Sequence, residues 1–107
     1  MDTQRKKGML DVCVLAALLE GPSYGYRLVR EVGACMPVSE STLYPILKRL
    51  ETAGCLDTYR EAYNGRLRKY YRLTAQGEER ICSFLAEWEE MERIYQFVKE
   101  KREGTSR

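Results

Sequence analysis

The stretch from Ser39 to Gly77, SESTLYPILKRLETAGCLDTYREAYNGRLRKYYRLTAQG, decides the fold. Leu43, Ile46, Leu47 and Leu50 fall at i, i+3, i+4 and i+7, which places four apolar side chains on one helix face. The opposite face carries Ser41, Pro45, Lys48 and Thr52, with Tyr44 and Arg49 at its margins. Gly54 stops the helix in the left-handed position that often follows one, and Leu56 folds back as its hydrophobic contact. Two strand-like runs come next, Leu56 to Tyr63 and Arg66 to Leu73, joined by Asn64-Gly65, whose backbone suits a two-residue hairpin turn. A helix with a polar, basic outer face and a small Arg-rich hairpin behind it predicts a winged helix-turn-helix, mainly α with a small β-hairpin.

Toward the N-terminus, Met9, Leu10, Val12 to Leu15 and Leu18-Leu19 predict a first helix from about Gly8 to Glu20. It is apolar almost all round and must be buried on more than one side. Gly21-Pro22 ends it. Ser23 is the expected N-cap of a second helix reaching about Cys35, with Tyr24, Leu28 and Val32 as its inner stripe and Arg27, Arg30 and Glu31 facing water. Pro37 closes that helix, and Ser39 or Ser41 caps the third. Pro45 is expected near the start of the third helix, because proline cannot donate the i→i−4 bond deeper inside. In the second strand Leu67, Tyr71 and Leu73 point one way and Arg66, Arg68, Tyr70 and Arg72 the other.

Thr74 is placed to cap a long fourth helix, with Glu78 and Glu79 near its positive end and Lys99, Lys101 and Arg102 near its negative end. Residues 104–107 read as a frayed tail. Ile81, Phe84, Trp88, Met91, Tyr95 and Val98 alternate spacings of three and four, as in a coiled-coil seam, and Leu85 and Ile94 widen the stripe. At 1.5 Å per residue this helix is about 40 Å long, more than the preceding residues can cover. The expectation is a homodimer in which Leu10 and Val14 of the first helix join this seam. The competing reading is an amphipathic helix packed only on its own domain. The chain then divides into a DNA-binding part, residues 1–77, and a dimerisation helix with a short tail, residues 78–107.

With 107 residues, 44% apolar and 32% charged, the chain is one globular domain. Net charge is only +2, but residues 1–77 carry twelve Lys or Arg against eight Asp or Glu, and residues 78–107 six against eight. All of the positive excess lies where DNA would bind. Arg5-Lys6-Lys7 before an apolar run superficially resembles a secretion signal, but Asp11 interrupts the run and no small-residue cleavage site follows. The run is also too short to span a bilayer, so no membrane partner is expected and the cytoplasm is the expected location. Cys13, Cys35, Cys55 and Cys82 form no C-x-x-C pair, and without a histidine a zinc site is hard to build. Each thiol has apolar neighbours and reads as a small hydrophobe, with a redox switch as the lesser alternative. Gly21-Pro22-Ser23-Tyr24-Gly25 matches the serine-hydrolase pattern G-x-S-x-G, yet a helix precedes it where that motif needs a strand, and no histidine exists to act as base. No phosphate-binding glycine loop is present. Enzyme, metal and cofactor are all expected to be absent.

Arg66, Arg68 and Lys69 form a basic arm with Tyr70 among them. Such an arm can neutralise phosphates flanking a groove while the helix reads base edges. The blander reading is a charged edge that discourages sheet aggregation. Tyr24-Gly25-Tyr26, then Ser41-Thr42-Leu43-Tyr44-Pro45 with Lys48-Arg49-Leu50-Glu51 and Gly54, then Arg68-Lys69-Tyr70-Tyr71-Arg72-Leu73-Thr74 with Gly77, together resemble the PadR family of transcriptional regulators over about residues 8 to 100. The resemblance implies a winged-helix dimer, usually a repressor, that binds a palindromic double-stranded operator and is often released by a small molecule. With one long helix at its end the chain is similar to the short subgroup. Family roles imply Ser41, Thr42, Tyr44, Pro45 and Lys48 at the major groove, Tyr24 and the wing cations near the backbone, and helices one and four at the dimer interface; Arg49, at the margin of the third helix, is expected to contact DNA as well. The wing around Tyr63-Asn64-Gly65-Arg66 is compact for such a protein. Trp88 near a two-fold axis, with Phe84 and Tyr95, would flank a planar aromatic effector; the alternative is that the indoles fill a dry core. The rival to DNA reading is a winged-helix protein-interaction module.

Overall fold

The apolar stripe that defines the third helix lies in the core: Leu43, Leu47 and Leu50 are fully enclosed and Ile46 nearly so. The computed structural model describes residues 3–105, with side chains from 8 to 104. The elements run α1 (Thr3–Ala17), β1 (Ser23–Tyr24), α2 (Gly25–Gly33), α3 (Glu40–Thr52), β2 (Leu56–Tyr63), β3 (Arg66–Leu73) and α4 (Ala75–Thr105). Leu10, Val14, Leu15 and Leu18 of the first segment meet Leu28 and Val32 of α2, the α3 stripe, Leu56, Tyr71 and Ile81 in one cluster.

Several boundaries differ from those expected. α1 begins by Thr3 and runs through Gly8. It ends at Ala17 rather than Glu20, because Leu18, Leu19 and Gly21 bond back only three residues, to Leu15, Ala16 and Leu18 at 3.0, 3.1 and 3.2 Å. Tightening of this kind closes a helix end, and Gly21, at φ +147, completes the exit. Ser23 is not an N-cap. It pairs with Tyr71, and Tyr24 with Tyr70, so β1 adds a third strand to the expected hairpin in the order β1-β3-β2. Tyr24 therefore precedes α2 in an extended conformation with no side-chain cap, rather than lying on its inner stripe.

Ser39, not Ser41, caps α3, its hydroxyl accepting from the Thr42 amide at 3.3 Å. Pro45 sits inside the helix, deeper than expected. Its missing N–H leaves the Ser41 carbonyl without its helical partner, on a side of the helix where water can reach it. Gly54 takes φ +80 just past the end of α3, and Asn64 and Gly65 take +49 and +78, the positive values a type I′ hairpin needs. β2 and β3 pair from Leu56↔Leu73 to Tyr63↔Arg66, over the full length of both expected runs. The Thr74 hydroxyl accepts from the Gly77 amide at 3.1 Å and donates to the Gly54 carbonyl at 2.6 Å, fixing the start of α4 against the end of α3.

α4 leaves this body almost at once. Ile81 is buried and Phe84 half-buried, but every described side chain from Leu85 to Gly104 is exposed. The molecule is consequently 67 Å long and only 26 by 22 Å across. Gly104 and Thr105 belong to the helix rather than to the expected frayed tail, whose remaining residues, 106 and 107, lie outside the described ones.

Candidate nucleic-acid interface

Because Leu43, Ile46, Leu47 and Leu50 fix the inner face of α3, Ser41, Thr42, Tyr44, Pro45 and Lys48 are left exposed on its outside. The hydroxyl of Ser39 lies 3.0 Å from that of Ser41 and 3.1 Å from that of Thr42, forming a small polar knot at the positive end of the helix. Lys48 has no carboxylate partner among the described residues, so its ammonium is available to a base edge or phosphate. Tyr44 is only partly free. Its ring rests on Gly25 at the start of α2, so closely that a Cβ there would overlap the phenol oxygen. Gly25 thus allows α2 and α3 to approach, and Tyr44 holds the two helices together as well as facing outward.

Arg49 is placed differently from the expectation that it contacts DNA. Its guanidinium pairs with Asp11 of α1, whose other oxygen accepts from Arg80 of α4 at 3.1 Å. Asp11 is buried, with 5% of its side chain exposed, while the two arginines are 52% and 40% exposed. One carboxylate therefore ties together α1, α3 and the long C-terminal helix α4. The sequence signal for it was present: a carboxylate inside a buried apolar run requires a cation.

The wing cations divide between the two faces of the hairpin. Arg66 is exposed beside the turn. Arg68 is sandwiched between two rings, its guanidinium 3.9 Å from the centroid of Tyr24 and 3.8 Å from that of Tyr63. Stacking fills the faces of a guanidinium but leaves its in-plane N–H groups free to donate, the geometry that a phosphate contact would require. Lys69 points to the other face, over Tyr71 at 5.5 Å. Tyr70 packs edge-on to Tyr24 at 5.8 Å and stacks on Tyr59 at 5.4 Å. This face of four tyrosines was missed in the sequence, although strand alternation and the Asn64-Gly65 register together place Tyr59, Tyr63 and Tyr70 on one side.

Between α1 and α4 lies an open cleft of about 360 Å³ bordered by Met9, Val12, Phe84, Trp88 and Met91, with Arg80 and Glu87 also on its lining. Phe84 and Trp88 lie nearly parallel, with ring centroids 6.1 Å apart. Tyr95, expected in the same site, does not line this cleft and is 59% exposed. Leu10 and Val14, expected at a subunit seam, are 8% and 0% exposed within their own chain, and Ile81 is 8% exposed. All three serve this chain's core and offer almost no surface to a partner. What α4 does present is Leu85, Trp88, Met91, Ile94, Tyr95, Phe97 and Val98, between 44% and 62% exposed. Phe97 was absent from the expected stripe. Ser23 is sealed at 2% exposure, which removes it from any nucleophilic role. No helix of the described residues is long and apolar enough to cross a membrane.

A three-helix body with a two-stranded wing and an outward polar helix defines the winged-helix class of DNA-binding proteins. The profile described as the transcriptional regulator PadR-like family matches residues 14–83. An uncharacterized protein of Lysinibacillus sphaericus is 32% identical over 93 residues, covering 82% of this chain and 85% of that one. A protein of Streptococcus mutans UA159 of known structure is 38% identical, with a TM-score of 0.78, over 90% of this chain and 91% of that one. A PadR family transcriptional regulator from Eggerthella lenta is 32% identical, with a TM-score of 0.75, over 89% and 86%. The chain belongs to the PadR-like family of transcriptional regulators, whose members are typically non-enzymatic DNA-binding proteins.

Proposed function

We propose that this regulator is a homodimeric, sequence-specific repressor acting on a palindromic operator in the cytoplasm, with residues 1–77 reading DNA and residues 78–107 joining the subunits. The observation that carries the reading is the outward face of α3, where Ser41, Thr42 and Lys48 stand exposed at the end of a rigidly packed helix. Arg66 and the stacked Arg68 supply phosphate contacts from the wing. The exposed apolar stripe of α4 supports the dimer, since a contiguous patch of that size on one helix calls for a cover. Two-fold symmetry would set the two α3 helices in successive major grooves, roughly 34 Å apart. Selection from a pool of random duplexes tests this: a palindrome with half-sites about one turn apart is expected. A pool that enriches no sequence at any salt concentration would instead favour a winged-helix module that docks on an acidic protein.

The cleft beside Trp88 supports release by a small, planar aromatic effector. Its apolar walls and the parallel Phe84 and Trp88 rings suit a flat guest, and Arg80 on its rim is paired with Asp11, which also holds Arg49 of α3. A guest that displaces Arg80 thereby disturbs the helix that reads DNA. Trp88 is the only tryptophan in the chain, so its fluorescence reports on the cleft. Saturable quenching by planar aromatic dyes is expected at micromolar concentrations, with loss of operator binding that Trp88→Ala abolishes. Absence of saturable quenching across a broad panel would leave the indole as packing alone.

A further inference from the structure

The fold brings two of the four thiols together from well-separated positions. Cys13 lies on α1 and Cys35 in the turn after α2, and their sulfur atoms are 4.0 Å apart. That is van der Waals contact, about 2 Å from the length of a disulfide bond. Cys55 is buried and Cys82 lies exposed on α4. The pair is also asymmetric. Cys35 is exposed to solvent, whereas Cys13 is half-buried against the core, and burial together with the neighbouring thiol pushes Cys13 above the ordinary thiol range. One sulfur is therefore open to an oxidant and the other is held in reserve beside it.

We propose that Cys13 and Cys35 are a peroxide-responsive dithiol, converted by a hydroperoxide into an intrachain disulfide that staples α1 to the turn between α2 and α3. The Cys35 thiolate attacks one peroxide oxygen, a sulfur–oxygen bond forms and the oxygen–oxygen bond breaks. Cys35 becomes a sulfenic acid, and the departing oxygen leaves as water or an alcohol. The Cys13 sulfur then attacks the Cys35 sulfur, and the displaced hydroxide leaves as water with the Cys13 proton. In sum two thiols lose two electrons and one hydroperoxide gains them. Thiol reductants reverse the change. A disulfide made in this way inside a reducing compartment is a signalling rather than a structural bond.

The position of the staple gives it consequence. Cys35 is joined through Met36, Pro37 and Val38 to Ser39, whose hydroxyl organises the start of α3. Drawing the two sulfurs together moves that turn toward α1 and with it the polar knot of Ser39, Ser41 and Thr42. The effect on DNA rests on the reading of α3 given above, whereas formation of the disulfide does not.

The test treats the reduced, full-length protein with graded hydrogen peroxide, alkylates the remaining thiols and maps the peptides by mass spectrometry. The expected result is a linked Cys13–Cys35 peptide and loss of two thiols per chain, reversed by dithiothreitol. Cys13→Ser and Cys35→Ser each abolish the link, and Cys82→Ser leaves it intact. Oxidation of Cys35 to sulfinic acid with Cys13 still free, or links only through Cys82 between chains, would overturn the proposal. On a selected duplex the oxidised protein is expected to bind several-fold more weakly than the reduced one. Equal affinity with the link fully formed would remove the switching role while leaving DNA reading in place.

Discussion

On the proposed dimer, the parent protein is expected to sediment as a dimer and a Met91→Glu variant as monomer or aggregate. Met91 is 44% exposed in the single chain and sits in the middle of the α4 stripe, between Trp88 and Ile94. Covering a large apolar side chain contributes about 1.5–3 kcal/mol, and a two-fold axis counts each one twice. A glutamate at this point would instead bring two carboxylates into an apolar seam, where each loses hydration without gaining a partner. That cost, several kcal/mol per buried charge, outweighs the contribution of any one apolar contact. The fold of the body should survive, since Met91 lies beyond the last buried residue of α4. An unchanged dimer with Glu at this position would place the subunit contact elsewhere.

The second large effect is expected at the Asp11 ion-pair cluster, and its mark is non-additivity. Arg49→Ala or Arg80→Ala alone should cost about 1 kcal/mol, because Asp11 keeps one cation and the arginines are 52% and 40% exposed, hence screened by water. Removing both leaves a carboxylate with 5% exposure and no cation, for which about 3–5 kcal/mol is the usual penalty. For a chain of this size each kcal/mol lowers the melting temperature by roughly 4–8 °C. Thermal unfolding of the two single variants and the double variant therefore separates a coupled cluster from two independent surface pairs. Losses in the double variant equal to the sum of the single ones would mean that Asp11 is not the shared partner.

The parts of the fold that were legible in the sequence are those whose cause is local. Four leucine-type residues at helical spacing dictate which face of α3 is buried, and Asn64-Gly65 dictates the hairpin register whatever lies around it. β1 was illegible for the opposite reason. Two residues carry no periodic signal, and Ser23 and Tyr24 become a strand only because Tyr71 and Tyr70 pass beside them. The same distinction divides the candidate site. Ser41, Thr42 and Lys48 emerge on the outside of α3 as a consequence of that helix's own spacing. Arg49, one position further round, looks identical in sequence, but a buried carboxylate 38 residues away turns it to the protein. Arg68 belongs between these cases: alternation gives its face, and only pairing with β2 and β1 supplies Tyr63 and Tyr24 as its walls. For α1, an apolar circumference must be shared between the chain's own core and any partner. Periodicity does not apportion it, and the core takes Leu10 and Val14.

Tyr44 shows why the choice of residue matters in testing DNA reading. Its contact with Gly25 means that Tyr44→Ala would disturb the packing of α2 on α3 as well as any base contact. Lys48 has no such second role among the described residues. The most direct test is the affinity of the parent protein, Lys48→Ala and Arg68→Ala for a selected duplex and a scrambled one, followed across salt concentration. Base-edge contacts carry about 1–3 kcal/mol of discrimination, so Lys48→Ala should shrink the ratio of specific to non-specific affinity by about 5- to 150-fold. Arg68→Ala should weaken both duplexes together and flatten the salt dependence by about one unit of slope. If both variants lost affinity for the two duplexes in equal proportion, α3 would not be the element that reads sequence.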